Sequence, residues 1–167
     1  MAFEVVVSGA EEVESGPPEE VALENAFRKA RAVADQRPDE LVLGVDTVVA
    51  LGPRLYGKPS ARSDAEETLR ALSGRAHRVL GGVCLIEGGR VRSAAAATTV
   101  RFRALDDVLV RWYLDSEEWR DRAGGYAIQG RGAALVEGIE GDYLNVVGLP
   151  VATLLELRPD LVVPSIV

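Results

Sequence analysis

Apolar residues along the chain alternate between the spacing of strands and the spacing of helices. Residues 41–50, LVLGVDTVVA, are apolar or glycine except for Asp46 and Thr47, which predicts a strand buried on both faces. A helix is predicted before this strand, because the prolines at 17 and 18 fit a first helical turn. Glu24 and Arg28 are spaced to pair on its outer face. Its apolar side chains at helical spacing are Leu23, Ala26, Phe27, Ala30, Val33 and Ala34.

The sequence predicts further elements before this helix and after the buried strand that follows it. Residues 3–9, FEVVVSG, have the composition of a strand. Residues 63–74 predict a helix, in which Ser63 and Glu66 are spaced as a capping box and Gly74 suits the position just past the end. A predicted strand therefore precedes the first helix, and a second predicted helix follows the buried strand.

The second half of the chain continues the alternation. Residues 77–102 predict two strands joined by a turn at Gly88 and Gly89. A helix is expected over 105–116, a glycine-rich loop entering a strand over 122–139, and a short closing helix over 148–159. The apolar face expected for the helix over 105–116 is Leu105, Val108, Leu109, Trp112 and Tyr113. The pattern predicts one domain of the α/β or α+β class over residues 1–167.

Composition narrows the class of protein. The chain of 167 residues is 47% hydrophobic, which is enough for a substantial core, and its net charge of -7 argues against a general nucleic-acid binder. One cysteine, Cys84, excludes an internal disulfide framework, and its apolar neighbours predict that it is buried. The single His77 excludes a multi-histidine metal centre. No stretch is typical of a membrane span or a signal peptide, so we expect a soluble, cytoplasmic protein.

Asp46 is the most unusual residue of the predicted buried strand. An unpaired carboxylate in such a position costs several kcal/mol. Two interpretations follow: either backbone amides or Thr47 hold the buried side chain, or Asp46 is a ligand of a hard cation such as Mg²⁺.

Four other residues are candidates for chemistry on phosphates. Lys29 and Lys58 are the only lysines in an arginine-rich chain, and a lysine is a compact charge suited to a phosphate, although Lys29 also fits a solvated helix position. Glu12 follows the first predicted strand, where a surface carboxylate is the simpler interpretation. Gln129 lies in the glycine-rich loop, which lacks the Gly-Lys-Ser/Thr of a P-loop. Together these residues favour metal-assisted chemistry on a phosphate ester or anhydride.

Several motifs, in a fixed order, resemble the Maf family of nucleoside triphosphate pyrophosphatases, also called septum-formation inhibitors. The most specific are DTVV, LSGRAH, AGGYAIQG and NVVGLP, and the similar region extends from about residue 3 to 157. The resemblance implies an elongated mixed β-sheet flanked by helices with a central cleft, as in inosine-triphosphate pyrophosphatases. It also implies a homodimer.

The resemblance implies an activity as well. Family members hydrolyse nucleoside triphosphates to monophosphate and pyrophosphate with Mg²⁺ or Mn²⁺, acting on non-canonical or pyrimidine nucleotides, and they restrain septum formation in cell division. The alternative for this chain is a catalytically impaired nucleotide-binding regulator of division. Neither interpretation requires a nucleic-acid polymer or a membrane as partner.

The resemblance also assigns roles to individual residues. Asp46 matches the central catalytic aspartate, and Glu12 matches the acidic residue that shares the cation with it. Lys29 and Lys58 match lysines that contact substrate phosphates, with Lys58 also expected in catalysis, and Gln129 matches the glutamine of the substrate-binding loop. Either carboxylate could accept the proton from the attacking water.

One family feature does not appear in this sequence. Family members begin with a strand and a Ser-x-Ser-Pro-Arg-Arg turn, which offers backbone amides and arginines to a phosphate. Here the sequence starts at MAFEVVV, after the position of that turn. Two explanations are open: the true start lies upstream, or the chain is a truncated form with weakened catalysis.

Overall fold

The computed structural model describes residues 3–161, and within them helices and strands alternate as the sequence predicts. The strands are β1 (Val42–Leu51), β2 (Arg54–Tyr56), β3 (Ala76–Glu87), β4 (Arg90–Phe102) and β5 (Val136–Glu140). The α-helices are α1 (Pro18–Ala34), α2 (Arg62–Leu72), α3 (Asp107–Leu114), α4 (Tyr143–Val147) and α5 (Val151–Leu157). Short 3₁₀ turns cover Ala123–Gly125, Arg131–Leu135 and Pro159–Leu161. The predicted mixed fold of helices and strands is confirmed.

The strands form one sheet in the order β2-β1-β3-β4-β5. Every strand pair within residues 3–161 is antiparallel, although the resemblance implied a mixed sheet. The predicted hairpin is confirmed: β3 and β4 meet at Gly88 and Gly89, whose φ values of 54° and 77° suit a tight turn with the twist of the strands. β2 pairs only with the end of β1, from Val49 to Leu51.

Helix α1 lies unusually close to one face of the sheet. A Cβ atom at Gly44 of β1 would collide with the backbone of Ala26, and one at Gly82 of β3 would collide with the backbone of Ala22. The helix contributes small buried side chains to this contact, and its predicted pair of Glu24 and Arg28 forms on the outer face at 2.7 Å. The two strand glycines therefore set the depth at which α1 places its inward-facing polar residues.

The opposite face of the sheet carries the largest core. Helices α2 and α3 and the chain around residues 123–135 pack there. Its most deeply buried large side chains include Leu69, Leu72, Phe102, Tyr113 and Leu135. Cys84 is buried on the side facing α1, as predicted. Among residues 3–161, no helix is long and apolar enough to cross a membrane.

The predicted strand over residues 3–9 does not form. This segment has no regular structure, and its apolar side chains are exposed, with Phe3 at 80% and Val7 at 93%. The backbone of a strand needs a partner, and no strand of the described chain hydrogen-bonds to this one. A contact between Glu4 and Arg37 at 2.7 Å holds its start beside the end of α1.

The predicted cap of the second helix is also wrong in detail. Helix α2 begins at Arg62, and the capping carboxylate is Asp64, which accepts hydrogen bonds from the backbone of Ala61 at 3.1 Å and Ser60 at 3.2 Å. Glu66 lies one turn further on and pairs with Arg70. The predicted glycine stop is confirmed, since Gly74 has a φ of 66°.

The predicted apolar face of the third helix is only partly correct. Tyr113 is buried as expected, but Val108 is 75% and Trp112 is 42% exposed. Val110 and Leu114 are buried in their place, so the helix is rotated from the predicted face. Helix α4 was not predicted, and the closing helix is shorter than the expected 148–159.

Candidate functional site

Asp46 lies in the middle of β1, on the face covered by α1, and is 8% exposed. Its Oδ1 atom lies 2.5 Å from Nζ of Lys29, and its Oδ2 atom accepts a hydrogen bond of 3.2 Å from Nδ2 of Asn25. Both partners project from α1 toward the sheet. The buried charge of Asp46 is therefore compensated by a cation and an amide, and Thr47 is not its partner.

Lys29 lies between two carboxylates. Its Nζ atom is 2.7 Å from Oε1 of Glu12, in addition to its contact with Asp46. Burial by itself lowers the pKa of Lys29, but the hydrogen bonds to Asp46 and Glu12 and the charges of these groups together raise that pKa above its ordinary value. Lys29 is thus a charged residue held inside the site, and the alternative of a solvated helix position does not apply.

Glu12 reaches the site from the irregular segment before α1. The hydrogen bond from Lys29 lowers the pKa of Glu12 below its ordinary value, although burial acts in the opposite direction. The charge of Lys58 lowers it further. Glu12 is 39% exposed, so the group is accessible to solvent while it holds Lys29.

A cleft of about 690 Å³ opens beside these residues and brings four of the five predicted site residues together. Its lining includes Lys29, Asp46, Lys58 and Gln129. Glu12 is not part of the lining and is connected to it through its contact with Lys29. The cleft lies along the part of β1 that β2 leaves unpaired, which is how a residue of a buried strand comes to face an open space.

Lys58 lies in the turn after β2 and is exposed at the cleft. It forms no ion pair with any group of residues 3–161. Of the two lysines that line the cleft, Lys29 is therefore already bound to carboxylates, and Lys58 is free to meet an anion.

The loop that carries Gln129 is fixed at both ends. The hydroxyl of Tyr113 accepts a hydrogen bond of 3.0 Å from the backbone nitrogen of Ala127, and the Glu118 carboxylate accepts one of 2.6 Å from the backbone nitrogen of Arg131. These two hydrogen bonds restrain the backbone at Ala127 and Arg131, and Gln129 lies midway between them. Such a loop presents its amide at a defined position in the cleft.

The sequence matches a known family along nearly its whole length. Residues 1–159 match the sequence model of the family described as Maf-like protein. The chain belongs to the Maf-like protein family. Several of its relatives carry the name dTTP/UTP pyrophosphatase. The chain is 49% identical to that of Deinococcus radiodurans over 156 residues, which is 93% of this chain and 80% of the relative.

Two further relatives of this Maf-like chain carry the same name. The chain is 48% identical to the dTTP/UTP pyrophosphatase of Thermococcus gammatolerans over 156 residues, 93% of this chain and 84% of the relative. It is 42% identical to that of Pyrococcus furiosus over 159 residues, with the same shares covered. The resemblance predicted from the motifs is thereby confirmed.

The carboxylates of the Maf-like site have the chemistry for a divalent cation. Oδ1 of Asp46 and Oε1 of Glu12 converge on one point, which the ammonium nitrogen of Lys29 occupies. Mg²⁺ uses one or two carboxylates together with water and substrate phosphates, so two converging oxygens fit such an ion. Among residues 3–161 there is no group of three or more acidic, histidine or cysteine side chains that could hold a metal without such added ligands.

His77 supports one wall of the Maf-like cleft without taking part in its chemistry. Its Nε2 atom lies 2.9 Å from the hydroxyl oxygen of Tyr126, which lines the cleft, and its ring packs edge-on against Phe102. Burial lowers the pKa of His77 to about 4. The imidazole is therefore neutral near pH 7 and is not a proton carrier for the cleft.

Sequence reasoning missed Asn25, Tyr113 and Glu118 as parts of the site. One signal was present for Asn25, which lies four residues from both Val21 and Lys29 and so shares their helix face. An amide beside the apolar residues Ala22 and Ala26 of this face indicates a buried polar partner. Glu118 gave no such signal, because its partner is a backbone nitrogen set by the folding of the loop.

Proposed function

We propose that this chain hydrolyses nucleoside triphosphates to the monophosphate and pyrophosphate, with dTTP and UTP as substrates. The observation that carries the proposal is the buried Asp46, bound to Lys29 and open to the cleft that also contains Lys58 and Gln129. The names of the related Maf-like proteins support the choice of pyrimidine nucleotides.

The reaction requires water to attack the α-phosphorus. A bond forms between the water oxygen and this phosphorus, and the bond from the phosphorus to the oxygen that bridges to the β-phosphate breaks. That bridging oxygen leaves with pyrophosphate, and the proton of the water passes to a base. Asp46 or Glu12 is the group we assign to accept this proton, since both carboxylates lie at the cation-binding point.

The lysines stabilise the negative charge of the triphosphate. Lys58 is free of ion pairs within residues 3–161 and would bind the phosphates, and Lys29 would add a second positive charge if Glu12 and Asp46 held a cation. Positioned cations at developing charge usually provide the largest part of the stabilisation in phosphoryl transfer. Gln129, on its held loop, contacts the nucleotide.

We propose that Glu12 and Asp46 hold one Mg²⁺ or Mn²⁺. Such an ion supplies a lowered pKa for a bound water and polarises the phosphoryl oxygen. The fit rests on the two carboxylate oxygens that converge on Lys29.

The test is a product analysis over a panel of canonical and modified nucleoside triphosphates. Each is incubated with the chain and Mg²⁺ or Mn²⁺, and monophosphate, pyrophosphate and inorganic phosphate are quantified. The proposal predicts equal amounts of monophosphate and pyrophosphate, fastest for dTTP and UTP, and none without a divalent cation. Calorimetry on the same panel distinguishes the alternative: nucleotide binding without turnover would contradict the proposal and indicate a binding protein.

A further inference from the structure

Asn25 is a buried amide in an apolar part of α1. It is 3% exposed, and Val21, Ala22 and Ala26 around it are also buried. An amide in such a place costs free energy unless each of its polar atoms is hydrogen-bonded. A leucine would fill the same space without that requirement, so the bonds that Asn25 makes are the reason for an amide here.

The side chain of Asn25 makes three hydrogen bonds to two residues, with both hydrogens of Nδ2 and with Oδ1. Its Oδ1 atom accepts a bond of 2.7 Å from the backbone nitrogen of Val13, and its Nδ2 atom donates one of 3.1 Å to the carbonyl oxygen of the same residue. The remaining hydrogen of Nδ2 goes to Oδ2 of Asp46 at 3.2 Å. The orientation of the amide is fixed, because a carboxylate can only accept and the nitrogen of Val13 can only donate.

These bonds connect the two carboxylates of the site. Val13 directly follows Glu12, so the pair of bonds to its backbone fixes the main chain from which Glu12 extends. The third bond holds the oxygen of Asp46 that faces away from Lys29. One side chain therefore sets where both carboxylates stand, and the segment around Glu12 has no regular structure of its own to do this.

We propose that Asn25 is a positioning residue that fixes the carboxylates of Glu12 and Asp46 relative to each other, so that both can bind one divalent cation. The proposal rests on the function proposed above. Asn25 touches neither substrate nor cation, and acts through the hydrogen bonds to Val13 and Asp46. Groups that orient metal ligands in this way typically contribute about 10- to 100-fold to metal affinity or activity.

Two substitutions separate this role from a structural one. Asn25→Leu removes all three bonds at a similar volume. Asn25→Asp keeps an acceptor for the nitrogen of Val13 but loses both donated bonds, to the carbonyl of Val13 and to Asp46, and places an oxygen against each. If Asn25 only held the segment to α1, both variants would lower the folded fraction but keep wild-type Mn²⁺ affinity and kcat per folded molecule. Leu154→Ala is the matched control, since Leu154 does not line the cleft, packs against Val83 and Leu85 on the face of the sheet opposite α1, and its truncation also lowers stability.

The experiment measures Mn²⁺ affinity by electron paramagnetic resonance, and kcat and KM with dTTP, for the wild type and the three variants. Circular dichroism gives the folded fraction, to which all values are normalised. We expect both Asn25 variants to bind Mn²⁺ about tenfold or more weakly and to lose about tenfold or more in kcat, with KM within about threefold. Leu154→Ala should keep wild-type values per folded molecule.

Wild-type Mn²⁺ affinity and kcat in both Asn25 variants would overturn the positioning role, whatever their melting temperatures. A wild type that binds no Mn²⁺ would overturn it as well. A wild type that binds Mn²⁺ but hydrolyses no nucleotide would contradict the proposed function alone, because the comparison of Mn²⁺ affinities would still decide the role of Asn25.

Discussion

Lys29 and Asp46 meet at 2.5 Å between Nζ and Oδ1, in the interface between α1 and β1. The side chain of Lys29 is 23% and that of Asp46 8% exposed, so most of the contact is shielded from water. Removing one partner of a buried pair leaves an uncompensated charge, which destabilises more than the pair itself stabilises. The contact thus links the stability of the fold to the chemistry of the cleft.

A double-mutant cycle measures this link. We expect Lys29→Met to lower the free energy of unfolding by about 2 kcal/mol, less than for a fully buried pair because Lys29 is partly exposed. Adding Asp46→Asn should restore part of that loss, since the stranded charge is then gone. Urea unfolding of both single variants and the double variant gives the coupling. Strictly additive effects would contradict the pairing.

His77 makes stability depend on pH in a defined window. Burial lowers its pKa to about 4 in the folded chain from 6.5, so the unfolded chain binds a proton first as the pH falls. The neutral form of His77 therefore contributes about 3 kcal/mol to the free energy of unfolding. This contribution is fully present above pH 6.5 and is lost progressively as the pH falls toward 4.

The substitution His77→Gln tests this window, because glutamine keeps polar atoms near Tyr126 but does not titrate. Urea unfolding at several values between pH 7 and pH 4 should give a shallower decline for the variant than for the wild type. Glu12 adds a second dependence on pH at more acidic values. Its pKa is lowered from 4.5 in the folded chain, so the stability that it provides is present above pH 4.5 and is lost as the pH falls through the lowered pKa. If the free energy of unfolding declined equally with pH in the variant and the wild type, the assignment of His77 as a buried, neutral imidazole would be contradicted.

The anchors of the Gln129 loop should affect substrate recognition. Tyr113→Phe removes the acceptor for the nitrogen of Ala127, and Glu118→Gln weakens the bond to Arg131. Each loss of about 1 kcal/mol corresponds to a roughly fivefold rise in KM for dTTP. Steady-state kinetics measure this rise, and Glu66→Gln on α2, outside the cleft lining, is the control. An unchanged KM in both variants would contradict a role for the Gln129 loop in substrate binding.

Gly44 should tolerate no side chain. Gly44→Ala places a methyl group against the backbone of α1, so the helix must move, at a cost of about 1–3 kcal/mol. Because α1 carries Asn25 and Lys29, activity with dTTP should fall together with the melting temperature. Gly138→Ala is the matched control, since a Cβ atom there meets no atom within 4 Å. Equal melting temperatures for the two variants would contradict the close packing of α1.

Regular elements were predictable where a local pattern determines the structure. The buried strand around Asp46 and the hairpin at Gly88 and Gly89 follow from apolar runs and a turn that tolerates positive φ. The segment 3–9 shows the opposite case. Its composition favours a strand, but a strand also needs a neighbour, which composition does not reveal.

The sequence predicted which residues belong to the candidate site, but not the contacts that hold them in place. The resemblance selected Glu12, Lys29 and Asp46, and the structure brings these three together. The bonds of Asn25 to Val13 depend on how an irregular segment folds back onto α1, and no periodicity encodes that path. The parts that escaped prediction are therefore those held by contacts between side chains and distant backbone.

The proposed hydrolysis depends above all on Asp46. The most direct measurement compares dTTP hydrolysis by the wild type, Asp46→Asn and Asp115→Asn, with Mn²⁺ present and pyrophosphate as readout. Asp115 is an exposed partner of Arg62, so the same chemical change there controls for the loss of one carboxylate. We expect a loss of at least about 100-fold in kcat for Asp46→Asn and wild-type rates for Asp115→Asn. Full activity in Asp46→Asn would contradict this dependence on Asp46.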